Sequence, residues 1–179
     1  MTQQADPTQQ ALSYMRHQAA KGLDSLTALL ERTRADWDRC LEGMSDAQGR
    51  FAPAGEWSAK EVLGHAIRAC RGVNGQITEA VAGRGVESPF GDASALRDQP
   101  AVDEQRPVSD LRRDVAAAYD ETRRLATSLS RSPNLDATFQ HPFFGQLNIR
   151  EWIAFQRIHA MDHIQQIEKI KAAPAYPAP

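Results

Sequence analysis

Long hydrophobic runs are missing from this 179-residue chain. No stretch approaches the roughly 18 apolar residues that suggest a membrane-spanning helix. The polar start, MTQQADPTQQ, has no signal-peptide core, so a cytoplasmic protein with no membrane partner is expected. Cysteine is scarce as well. Cys40 and Cys70 fall inside expected helices without metal-ligand spacing and read as reduced, structural thiols. Charge of one sign is not in excess: 21 basic and 23 acidic residues are interspersed and leave a net charge of −2. That balance supplies neither a basic patch for nucleic acid nor a solvating acidic tail. Alternating strand patterns are absent, and so are paired Glu-x-x-His motifs, HExxH, a P-loop and GxGxxG. Di-iron, zincin and nucleotide chemistry therefore have no local motif to stand on, while a triad assembled only in space stays open.

What the chain has is amphipathic helix. Asp6-Pro7 resembles a helix start, and Leu12, Met15, Ala19, Leu23, Leu26, Leu30, Thr33, Trp37, Leu41 and Met44 follow at steps of three and four. Gly22 is placed to break or kink that stripe, so the core portion is expected over 23–44. His17 lies off the stripe and reads as a surface residue. Residues 45–57 read as a connection. Ser58 with Glu61 then forms a capping box, with Trp57 stapling to Val62, and opens a helix whose stripe is Val62, Ala66, Ala69, Val73, Ile77 and Ala80.

Residues 83–107 lack periodicity and carry three glycines and three prolines, which points to a crossover or a lid. A third helix is expected from a Ser109 cap, with Leu111, Val115, Ala118, Thr122, Leu125 and Leu129 inward and Pro133-Asn134 as the stop. After a loop containing His141-Pro142-Phe143-Phe144-Gly145, Asn148 and Glu151 repeat the capping device, with Leu147 stapling to Trp152. The last helix ends before AAPAYPAP, a tail that cannot continue it and should fray. The expectation is an all-α four-helix bundle: residues 1–22 an N-terminal helical extension, 23–171 the bundle and 172–179 a flexible tail.

The last helix carries the chemistry. At about 100° per residue, His159 shares one face with Trp152, Phe155, His163, Gln166 and Ile170. Two imidazoles one turn apart can close on one metal ion. They can equally be core-edge residues bonded to backbone or carboxylate. His65 sits at the edge of the second helix's stripe, beside Gly72 and Gln76, where a third ligand would sit. Three imidazoles would leave a coordination position open, as catalytic sites do. His141 is a candidate for a substrate or outer contact at the mouth of such a site, or a turn residue and nothing more. Trp57 and Trp152 read as staples and core. Met161, Ile153 and Ile164 form a second apolar stripe, for another helix or for a dimer face.

WSAKEVLGHA, HPFFGQLN and EWIAFQRIHAMDHIQQI resemble the DinB-like superfamily, near its bacillithiol-transferase (YfiT-like) branch. The most specific matches are Trp57, Ser58, Glu61 and His65, and the His159/His163 pair followed by Gln166. The resemblance, spanning about 23–170, implies an up-up-down-down bundle with long crossovers, often a homodimer. It also implies a divalent metal, zinc or nickel, on His65, His159 and His163. Members of known activity use low-molecular-weight thiols. Asp162 departs from the family, which often has a basic residue there. Three functions follow: a metal-dependent S-transferase or hydrolase acting on a small molecule, a non-catalytic bundle binding a small molecule or partner, or a structural dimer with vestigial histidines.

Overall fold

A computed structural model describes residues 6–86, 88, 105–132 and 134–178. Helix α1 (Pro7–Ala20) starts where Asp6 accepts the Thr8 amide. Gly22, at φ +88°, turns the chain into α2 (Leu23–Cys40), so the long stripe is two helices joined at a left-handed glycine. α1 docks on the last helix with Met15 and Ala19 buried, which makes it part of the packed core.

The expected connection over 45–57 contains a short helix, α3 (Asp46–Arg50), with its own Ser45/Gln48 capping box. α4 (Ala59–Val81) begins on the expected box: Ser58 accepts the Glu61 amide at 3.2 Å and Glu61 accepts the Ser58 amide at 2.7 Å. α5 (Val108–Ser128) runs into a single 3₁₀ turn, Leu129–Arg131. Strands β1 (Thr138–His141) and β2 (Gly145–Asn148) pair antiparallel, and α6 (Ile149–Lys171) starts on the Asn148/Glu151 box.

α2, α4, α5 and α6 form the four-helix bundle, with α2–α4 and α5–α6 as its diagonals. Side-chain links fix the directions. Arg157 pairs with Asp36, and Lys171 reaches the Cys40 carbonyl, so α6 runs parallel to α2. Arg112–Asp38 and Arg123–Glu31 set α5 antiparallel to α2. The starts of α4 and α5 meet at Asp46, and Arg71 pairs with Glu121 further along, so these two are parallel. Taken round the bundle from α6 through α2, α5 and α4, the order is up-up-down-down. In chain order it is up, down, down, up. Two successive parallel helices of this length need a return path of about 35 Å, which is why a long crossover separates them. Of the crossover or lid expected over 83–107, residues 87 and 89–104 lie outside the described residues, as does Pro133 of the expected Pro133-Asn134 stop.

Three further expectations are corrected. The β-hairpin was not foreseen, because four-residue strands with only Phe139, His141 and Leu147 buried give too short an alternation to read. Ser109 does not cap α5. The N-cap lies two residues earlier, at Pro107, and the Asp46 carboxylate of α3 accepts the Val108 amide at 2.7 Å. The same carboxylate pairs at 3.3 Å with Lys60, which is wholly buried. Gly49 allows this close packing, since a Cβ there would lie 2.4 Å from Val108 Cγ2. Last, where a frayed tail was expected, Tyr176 packs edge-on against Phe51 and the Pro177 carbonyl accepts from Gln48 Nε2 at 3.0 Å.

Trp37, Trp152, Leu26, Leu30, Ile77 and Leu111 fill the interior. Ile153 and Ile164 are buried within the same chain, and Met161 packs beside them, so the second stripe of α6 meets the bundle. Among the described residues, no helix is long and apolar enough to cross a membrane.

Candidate metal centre

α4 and α6 pack antiparallel, and this sets His65, near the start of α4, against the middle of α6. His65 Nε2 lies 3.2 Å from His159 Nε2, and His163 Nε2 lies 3.1 Å from the same atom. One ligand nitrogen from each of the three histidines lies within 4.8 Å of the others. Four nitrogens arranged tetrahedrally about 2.1 Å from an ion would be about 3.4 Å apart. The two spacings at His159 Nε2 are close to that.

The protonation pattern fits an ion as well. His163 Nδ1 lies 3.0 Å from Gln166 Oε1, which accepts the Nδ1 proton and leaves the Nε2 lone pair facing His159. Burial pushes His65 down to about 4, reinforced by the neighbouring His163 charge and by Arg68. Burial, and then the charges of His163 and His65, hold His159 well below its ordinary value. His163 is lowered by burial, partly offset by Gln166 and Asp162. All three are therefore neutral near pH 7, the form that binds metal. An N–H···N bond can serve one of the two close contacts at His159 Nε2. A cation shared by three lone pairs serves both.

The histidines line a cavity of about 630 Å³. Trp57, Phe143, Phe144, Phe155 and Ile158 form its apolar wall, and among the described residues Glu56 and Asp162 are the charged ones that line it. Trp57, expected as a staple, packs against the core and also faces the cavity, with its ring 5.4 Å from His65. Trp152 is core as expected: it stacks on Phe139 at 4.4 Å and donates its indole N–H to the Phe139 carbonyl. His141 lies at the end of β1, buried and in the cavity wall, rather than on an open loop. Asp162, where a basic residue was the family pattern, is raised by desolvation, less the effect of His163. His17 is exposed and far in sequence from these groups, as expected for a surface residue.

The aromatic wall is what sequence reasoning missed. Its one legible trace was His141-Pro142-Phe143-Phe144-Gly145, a proline-led turn closed by Gly145 at φ +74°. Cys40 and Cys70 are free and buried, each pushed up to about 12 by burial, so neither offers a thiolate.

Comparison with known proteins agrees with this architecture. YuaE of Bacillus subtilis strain 168, itself uncharacterized, is 26% identical over 143 residues, which span 73% of this chain and 88% of YuaE. The solved structure of YfiT from Bacillus subtilis has been described as a probable metal-dependent hydrolase with an unusual four-helix bundle topology. It superposes with a TM-score of 0.67 at 16% identity, over 84% of this chain and 86% of YfiT, which shows a common fold. Residues 29–167 match the DinB superfamily, nearly the whole of the bundle with its three histidines, and the chain belongs to that superfamily.

Proposed function

We propose that the protein is a metal-dependent enzyme in which His65, His159 and His163 hold one divalent ion, zinc or nickel. Its reaction is attack of water or of a low-molecular-weight thiol on a small electrophilic molecule, as a hydrolase or an S-transferase. The observation that carries this reading is the meeting of three neutral imidazole nitrogens in the wall of an aromatic cavity. Three protein nitrogens leave a position open for water or substrate. An ion bound there supplies a lowered pKa for water or thiol and polarises a carbonyl.

The remaining work falls to the chain. Gln166 fixes the His163 ring through Nδ1. Trp57, Phe144 and Phe155 exclude water and hold an apolar substrate body. A cavity of this size suits a small molecule. The description of YfiT supports hydrolysis, and the resemblance to the bacillithiol-transferase branch supports a thiol. A homodimer and a cytoplasmic setting belong to the same proposal.

The test is elemental analysis of untagged protein purified without chelator, expected to find close to one ion per chain. His163→Ala should keep the helical circular dichroism and lose the ion. Loaded protein would then be assayed with p-nitrophenyl acetate for hydrolysis, and with 1-chloro-2,4-dinitrobenzene plus cysteine for thiol transfer. The cavity also favours a second reading, a non-catalytic binding bundle. Ligand binding unchanged in His163→Ala, with no turnover of either reagent, would establish that reading in place of the first.

A further inference from the structure

The imidazole of His141 is held by the turn that follows it. Its Nδ1 accepts the backbone N–H of Phe143 at 3.1 Å and that of Phe144 at 3.3 Å. A nitrogen that accepts two hydrogen bonds carries no proton, so the neutral ring must carry its hydrogen on Nε2. The ring is fixed on its faces and edges too. Phe144 and Phe155 each lie 4.6 Å from it, centroid to centroid, and Trp152 lies at 5.2 Å. His141 is 3% exposed and lines the same cavity as the three clustered histidines.

We propose that His141 is a ligand-contacting residue of this cavity, a neutral Nε2–H donor that hydrogen-bonds a negatively charged acceptor atom of the molecule bound beside the metal centre. This deepens the metal-centre reading and rests on it. Burial alone pushes His141 down to about 4, so at neutral pH it donates a hydrogen bond without being an imidazolium acid. The donor is preorganised. The hairpin sets both its tautomer and its direction before any ligand arrives, which is what stabilisation of developing negative charge requires. It also gives the hairpin a purpose, since Gly145 at φ +74° closes a turn whose two free amides are spent on this one ring.

Two substitutions separate this role from turn-holding. In His141→Asn the side-chain oxygen stands near the old Nδ1 and still accepts the turn amides, but the distal donor is lost. In His141→Gln the amide reaches toward the old Nε2 and keeps the donor, but the turn loses its acceptor. Full-length protein loaded with Co²⁺ would be titrated with azide, a small anion, and followed by the cobalt visible bands, with urea midpoints measured in parallel. The expected result is azide binding about tenfold or more weaker in the Asn variant and within about threefold of wild type in the Gln variant. The urea midpoints should rank the other way, with Asn the more stable of the two. Azide affinity that follows the urea ranking, or that is unchanged in the Asn variant, overturns the proposal and leaves His141 a turn residue. Failure of wild-type protein to take up Co²⁺ is a different result: it removes the metal centre and this proposal together.

Discussion

α4 and α6 meet twice through polar groups, and the two meetings are built on opposite principles. Towards the start of α4, His65, His159 and His163 turn nitrogen toward nitrogen, at 3.1 and 3.2 Å. Deeper in the bundle, Cys70, Asn74, Thr122 and Gln156 pair donors with acceptors. The Cys70 thiol donates to Gln156 Oε1 at 2.8 Å, and Gln156 Nε2 donates to Asn74 Oδ1 at 3.0 Å. The Thr122 hydroxyl lies 3.0 Å from both Asn74 Oδ1 and Gln156 Oε1, while Tyr119 donates to the Gln156 carbonyl. Asn74 Nδ2 is the group's one buried polar atom without a partner. A buried network that closes on itself is cross-linking. A cluster of imidazole nitrogens turned toward one another is a geometry that could hold a cation. The same two helices thus carry a structural clamp and, nearer the start of α4, the proposed metal site.

Acid should separate the two regions most strongly. His65 and His141 fall from 6.5 to about 4 in the folded protein. Between those values the unfolded chain binds more protons, so stability is full above about pH 6.5 and is lost as pH falls toward 4, by on the order of 3 kcal/mol for each group. The deep network contains no group that titrates in this range. Urea midpoints of metal-free protein should drop from pH 7 to pH 4.5, and His65→Asn should drop less. Equal losses in both proteins would mean that the histidine end is not the acid-sensitive one.

Next in size is the clamp. Gln156→Leu keeps the volume but leaves the Cys70, Thr122 and Asn74 groups without their common partner, and should cost about 2 kcal/mol. Its metal stoichiometry should stay that of wild type, measured on the same sample. If the ion is lost with the clamp, the two regions are one cooperative unit rather than two.

Gln166→Ala works from the other side. Removing the acceptor that holds the His163 tautomer should weaken zinc binding by about tenfold while leaving the urea midpoint of the metal-free protein nearly unchanged. Calorimetric zinc titration reads the first and chemical denaturation the second. The smallest effect is expected from the caps that both regions share. Ser58→Ala and Asn148→Ala should each cost about 1 kcal/mol without altering metal affinity. Midpoints unchanged in both variants would show that the caps contribute nothing measurable.

Much of this was legible along the chain, because helix periodicity and capping are local. The Ser58/Glu61 and Asn148/Glu151 boxes and the apolar stripe of each bundle helix follow from residues within one or two turns of each other. So does the shared face of His159, His163 and Gln166. The alignment of His65 with that face was read from a resemblance and from its place at a stripe edge. What only the tertiary structure decided depends on groups far apart in sequence. Asp46 replaced Ser109 as the acceptor at the start of α5 because packing brought a carboxylate 62 residues away to that helix end. Trp57 became cavity wall because it meets His65, and His141 a tautomer-locked ring because the hairpin, too short to announce itself by alternation, folds onto α6. The direction of α4 against α6, which lets three histidines meet at all, is a property of the bundle's long-range ion pairs and buried surface, and no local stretch contains it.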